Sequence, residues 1–112
     1  MNDRGRRRRI RELNDRFRKS MSGGRVMMTI GFQSLSEKTQ AIAIHKIAGF
    51  EHFTADNDPH GEHDFGSIGI EDQPKIFWKI DYYSPDLEHG SEEPSDPTKT
   101  ARVMTIMLAE EY

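Results

Sequence analysis

The chain has no cysteine, no long apolar run and no surplus of positive charge beyond residue 19, and each absence removes a class of chemistry. Without cysteine, disulfide staples, thiolate nucleophiles and Cys-based zinc or iron–sulfur sites are excluded, whereas ligation by His and carboxylates stays open. No stretch approaches the ~20 apolar residues that span a bilayer, and the N-terminus, although basic, has no apolar core of the kind a secretory signal carries. A soluble cytoplasmic protein without membrane contact is the expectation. No internal repeat or composition shift divides the sequence, so 1–112 reads as a single domain. A chain of this length buries roughly two-thirds of its unfolded surface, enough for one modest core.

The formal net charge of −3 hides a strong asymmetry. Residues 1–19 carry nine Arg or Lys against Asp3, Glu12 and Asp15, while residues 20–112 carry seven basic and sixteen acidic groups. Such an arm, with Arg6, Arg7, Arg8 and Arg9 at its centre, reads in three ways. It reaches a nucleic-acid backbone by counterion release, it attaches to the acidic body, or it is a basic helix face in water.

Periodicity gives an α+β fold: two helices on a small, mostly antiparallel sheet of about four strands. Residues 6–19 place Ile10, Leu13 and Phe17 at helical spacing, with residues 1–5 fraying ahead of them. Val26, Met28 and Ile30 alternate and predict a strand over 25–32. Ser34 and Glu37 have capping-box spacing, which predicts a helix from there to Ala48, closed by Gly49, with Leu35, Ala41, Ile44 and Ala48 on its inner face. His45 lies beside that face and reads as a structural or solvent-facing histidine. Residues 65–70 and 75–83 flank a turn at Glu71-Asp72-Gln73-Pro74 and predict a hairpin. In its second strand Ile76, Trp78, Ile80 and Tyr82 fall on the core side, and Phe77, Lys79, Asp81 and Tyr83 on the other. Residues 84–100 are acidic, Pro-punctuated and free of aromatic residues, so they read as a mobile loop. Residues 101–109 are apolar in both alternating sets, as a strand covered on both faces would be.

The densest concentration of chemistry is Asn57-Asp58-Pro59-His60-Gly61-Glu62-His63-Asp64-Phe65-Gly66, in a connection long enough to favour function or flexibility. Here His60, His63 and Asp64, with Asp58 and Glu62 interleaved and His52 or Asp56 upstream, offer the mixed nitrogen and oxygen set that a divalent ion accepts. Metal-free phosphodiester hydrolysis is a second reading, with His60 or His63 as acid and base, Lys79 or Arg102 stabilising the phosphorane and Tyr83 assisting. Against it, the body is acidic where such enzymes carry a basic sheet. A third reading needs no reaction: Asn57, Asp58, His60, Glu62, His63, Asp64, Lys79, Asp81 and Tyr83 form a recognition surface for a protein or nucleic acid, while Asn57, Asp58 and Asp64 also hold turns. Phe77, Trp78, Tyr82 and Tyr83 read either as stacking platforms for bases or as core.

Four segments carry a family resemblance: Ser22-Gly23-Gly24-Arg25-Val26-Met27, the loop just quoted, Phe77-Trp78-Lys79-Ile80-Asp81-Tyr82-Tyr83, and the C-terminal run from Arg102 to Tyr112. Together they resemble a bacterial domain of unknown function, family number 3768, from the first helix onward. That resemblance implies an accessory protein of alphaproteobacteria and their plasmids and assigns no catalytic residue. Combined with the charge pattern, the expectation is a non-enzymatic macromolecular-binding protein acting through residues 57–66, without a cofactor. The alternatives are a small phosphodiester hydrolase centred on His60, His63 and Asp64, and an acidic inhibitor of a host defence nuclease. Oligomeric state is left open.

Overall fold

The computed structural model describes residues 2–112 and shows an α+β fold with two long helices, a single-turn helix and four strands. Helix α1 is Asp3–Ser20. It starts three residues before the periodicity predicted because Asn2 caps it, its Oδ1 accepting from the Gly5 N–H at 2.7 Å. It ends where Met21 turns left-handed at φ 56°. Its buried stripe is Ile10, Asn14, Phe17 and Arg18, with Leu13 only half-buried. Two polar side chains therefore occupy positions that an apolar pattern skips.

Strand β1, Arg25–Met28, is shorter than the 25–32 run expected. Thr29 breaks it by capping a helical turn, α2 (Ile30–Gln33), whose Phe32 N–H bonds the Thr29 hydroxyl. The alternation is misleading here. Ile30 is 87% exposed, whereas Phe32 is fully buried. Glu111 secures the turn by accepting from the Thr29 hydroxyl at 2.6 Å and the Gly31 N–H at 3.0 Å. A Cβ on Gly31 would sit 2.6 Å from that carboxyl group, so a larger residue there would displace the Glu111 side chain. Helix α3, Glu37–Ala48, is capped by Ser36 and not by Ser34, which instead closes α2. Its buried face is accordingly Thr39, Ala43 and Ile47; Ala41 is exposed, and Leu35, Ile44 and Ala48 are half-buried.

The sheet runs β1-β4-β3-β2, with β2 Phe65–Ile68, β3 Ile76–Tyr83 and β4 Ala101–Leu108. Strand β1 is parallel to β4 and the other neighbours are antiparallel. Trp78 lies opposite Gly66 on one side and Ile106 on the other, and Ile80 lies opposite Met104. These residues join Phe17, Phe32, Ile47 and Phe50 in one core. Both long helices lie on that side of the sheet. Strand β4 is covered on both faces only in part: Met104 and Ile106 are buried on the helix side and Met107 on the far face, but Val103 and Thr105 remain half-exposed on the far face.

Residues 84–100, read as mobile from composition, form successive turns that any motion must detach. Gly90 bridges to Tyr83, Ser91 meets Thr100 at 2.7 Å, and Arg6 reaches Glu93 at 2.6 Å.

Trp78 is the largest fully buried side chain, packed edge-on to Phe50 and Phe53. Truncation at such a site removes transfer energy and leaves a cavity. Trp78→Ala is expected to lower unfolding free energy in urea by ~3–5 kcal/mol; a loss under about 1 kcal/mol would contradict the central place given to the indole.

Candidate functional site

Much of the 57–66 loop's chemistry is turned inward. Asn57 and Asp58 build the loop. The Asn57 side chain accepts from the Thr54 N–H and donates to the His52 carbonyl, both at 2.9 Å, while Asp58 Oδ1 accepts from the N–H groups of Glu62 and His63 at 3.1 and 3.2 Å. The chain then passes through two left-handed residues, Gly61 at φ 67° and His63 at φ 56°. The second is a strained choice for a histidine. His63 is held there from three directions: its ring stacks flat on Phe53 at 3.7 Å, Nδ1 lies 2.8 Å from Asp15 Oδ1, and Nε2 lies 3.7 Å from Asp58 Oδ2.

Asp15 has a second partner. Its Oδ1 accepts from Arg18 Nη2 at 2.9 Å, and the Arg18 Nη1 donates to the carbonyls of Ile47 and Ala48, each at 3.0 Å. The guanidinium, 1% exposed, lies against Phe53 and Trp78, 5.4 Å from each ring centre. Glu62 is fixed by a neighbouring polar group. Its carbonyl accepts from Asn14 at 3.0 Å, and its carboxylate accepts from the Tyr82 hydroxyl at 2.8 Å. Burial, then the Glu62 charge, pushes the Tyr82 pKa far up, so this phenol stays protonated and donating. Arg102, 4% exposed, donates to Asn14 Oδ1 at 2.8 Å and to the Pro94 carbonyl, so its guanidinium holds the body together.

The residues assembled from sequence as one site therefore occupy three places. Asn57, Asp58, Glu62 and His63 face α1 and their own loop. Lys79, Asp81 and Tyr83 lie on the opposite sheet face, where Lys79 Nζ is 3.0 Å from Asp81 Oδ2. Phe77 is there too, in edge contact with Phe65 and Tyr112, whereas Trp78 and Tyr82 point to the helices. His60 is exposed and stands apart from both groups.

What His60 faces is the feature the sequence reading missed. Arg4, Arg7, Arg8 and Arg11, at helical i, i+3, i+4, i+7 spacing on α1, line an open groove of about 430 Å³ with Ala55, Asp58, Pro59, His60 and Gly61. Arg11 Nη1 donates to the Gly61 carbonyl at 3.3 Å, and a Cβ on Gly61 would lie in ordinary contact with Arg7 Cδ and Arg11 Nη1, at 3.6 and 3.7 Å. Among the described residues, none of these four guanidiniums has a carboxylate within ion-pair distance. By contrast Arg6 pairs with Glu93, and Arg9 lies 3.8 Å from Glu12. The arm predicted at Arg6–Arg7–Arg8–Arg9 is thus redistributed: Arg7 and Arg8 belong to the groove and Arg6 and Arg9 do not. Reading the arginines by helical period would have found this stripe.

No group of three or more His, Asp or Glu side chains is arranged to hold a metal ion among the described residues. His63 has carboxylates at both nitrogens, so the His60, His63 and Asp64 set is not gathered around a common point.

The profile of a family described as protein of unknown function (DUF3768) matches residues 28–111. The chain belongs to this family. No curated protein and no solved structure matches it significantly. The DUF3768 segment begins at the last residue of β1, so it contains the 55–61 wall of the groove and strands β2, β3 and β4, while α1 with its arginines and most of β1 precede it.

Asp64 is the loop carboxylate with an uncompensated environment. Its carbonyl accepts from the Ile80 N–H at 2.8 Å, but burial and then the charge of Glu62 raise its carboxyl pKa above the usual carboxylate range. A raised folded-state pKa means the fold holds this proton more tightly than the unfolded chain does. The resulting stabilisation is full below the unfolded pKa of about 3.9 and is lost as pH rises through the folded value. Asp64→Asn is therefore expected to melt above the parent at pH 7, with the difference closing as pH approaches about 4; a difference that does not change with pH would contradict this environment.

Proposed function

We propose that the protein is a non-enzymatic binding protein that takes an anionic macromolecule in the groove between α1 and residues 55–61. One observation carries the reading: four arginines and His60 line a single open groove with no carboxylate paired to the arginines among the described residues. Surface cations without an ion-pair partner are commonplace singly. Four on one stripe, opposite a loop tied down by its own hydrogen bonds, form a preorganised concentration of positive potential on a body that is otherwise acidic. Asp58 also lines the groove, but its carboxylate is spent on the Glu62 and His63 N–H groups and on the His63 ring.

Hydrolysis at His60, His63 and Asp64 gains no support from this geometry, because His63 is committed to Asp15 and Asp58 while Arg102 is internal. An acidic decoy for a nuclease is disfavoured by the way its acids are used: Glu93 serves Arg6 and Ser95, Asp86 serves Ser84, and Asp96 serves Thr98. No helix is long and apolar enough to cross a membrane. We place the protein in the cytoplasm, as an accessory factor of mobile elements.

Titration of the labelled protein with inorganic polyphosphate, followed by amide NMR shifts, tests the location. The largest shifts are expected at Arg7, Arg8, Arg11, His60 and Gly61. Shifts centred on Lys79, Asp81 and Tyr83 would move the working surface to the far sheet face.

A further inference from the structure

Resting on that reading of the groove, we infer that its ligand is the phosphodiester backbone of a nucleic-acid duplex, gripped without regard to base sequence. Three features of the groove point to this chemistry. The cations are all arginines, whose planar fork matches phosphate oxygens in pairs and stays charged at every working pH. They are spaced along one rigid helix, so Arg4 and Arg11 are separated by about 10 Å of axial rise. That interval covers about three steps of a strand rising 3.4 Å per charge, and Arg7, Arg8 and His60 fill it.

The remaining lining decides between anionic partners. Besides Asp58 and Gly61 it offers only Ala55 and Pro59, with no large apolar side chain. Interfaces with acidic proteins concentrate their energy in buried aromatic or aliphatic anchors, and this groove has no pocket partner for one. Its one aromatic ring is the His60 imidazole, and it has no Phe, Tyr or Trp to make the succession of stacking platforms that single-strand binders use. The half-buried Phe77 ring and the exposed Tyr112 ring are on the far side of the sheet. A surface of cations with a single imidazole and no large apolar side chain is suited to a charged backbone whose bases are already paired.

The rest of α1 fits the same ligand. Lys19 is exposed further along a helix about 27 Å long, whereas Arg16 lines a separate groove with Arg9 and Arg102, Arg6 is paired with Glu93 and Arg18 is buried. Beyond residue 19 the chain carries sixteen acidic groups against seven basic ones, so a polyanion is repelled from the body and confined to the α1 side.

Fluorescence anisotropy of the full chain tests this against four probes over a sodium chloride series: a 20-bp DNA duplex, an RNA duplex and a single strand of the same sequence, and polyglutamate of matched charge. Duplex binding is expected with a log K against log salt slope of about −3 to −4, at roughly 0.9 per phosphate for four arginine contacts. Arg4→Gln/Arg7→Gln/Arg8→Gln/Arg11→Gln should bind at least ~10-fold more weakly, with most of that slope removed. Because Arg4 and Arg8 are exposed, Arg4→Gln/Arg8→Gln provides a second, structurally milder variant, expected to lose about half the slope. A second duplex of unrelated sequence should bind equally well. Equal binding of DNA and RNA duplexes fits a backbone ligand, and preference for one names the source of the phosphates. Polyglutamate or the single strand binding as tightly as the duplex overturns the assignment to duplex and leaves the groove reading standing. Failure of all four probes to bind at low salt removes both.

Discussion

One buried guanidinium ties this molecule together. Arg18 leaves α1 and caps the last turn of α3 by donating to the Ile47 and Ala48 carbonyls, the first of which also accepts from the Phe50 N–H at 3.2 Å. A cation there also meets the negative end of the α3 dipole. Desolvating a guanidinium is expensive, and it is offset here by Asp15 and by the faces of Phe53 and Trp78. The same Asp15 oxygen meets the His63 ring, which stacks on the Phe53 ring that Arg18 touches. Helix α1, the end of α3, strand β3 and the histidine loop are thereby joined at one point.

That junction explains how a loop rich in Pro and Gly becomes a wall with a defined position. With His63 and Glu62 drawn onto α1, Gly61 lies against Arg7 and Arg11, and His60 is left projecting into the groove. Sorting of the basic residues follows from the helical period. Arg18, on the buried stripe, is structural; Arg6, at the edge of that stripe, meets Glu93; and Arg4, Arg7, Arg8 and Arg11 flank the loop with their charges available. Stability and recognition thus use the same residue type on one helix, separated by the side of the helix each residue occupies.

The elements were largely legible because they rest on strong local patterns: the helix over α1, the hairpin of β2 and β3 and the apolar β4 all follow from periodicity. The errors have physical causes. Thr29 and Ser36 overrode alternation and a more distant capping pair, because the cap is decided by which hydroxyl meets a free N–H. The half-open far face of β4 could not be read from apolar content, since it depends on where the two helices pack. In the site, composition found the correct loop but not its orientation: nothing local reveals that Asp15, 48 residues before His63, claims that imidazole. Asn14 and Arg18 were hidden because buried polar residues interrupt the apolar stripe that locates a helix face. The arginine groove was within reach, since its spacing is present in the sequence, but its second wall depends on the tertiary fold.

The central claim is that Arg18 couples the end of α3 to the histidine loop. Amide hydrogen exchange in Arg18→Lys measures this directly, because lysine keeps the charge but loses the planar fork that spans two carbonyls and a carboxylate. Faster exchange is predicted both at Gly49 and Phe50, which close α3, and at the Glu62 and His63 amides bonded to Asp58, while the amides of β3 and β4 stay protected. Loosening confined to the end of α3, with residues 58–63 exchanging as in the parent, would contradict the coupling.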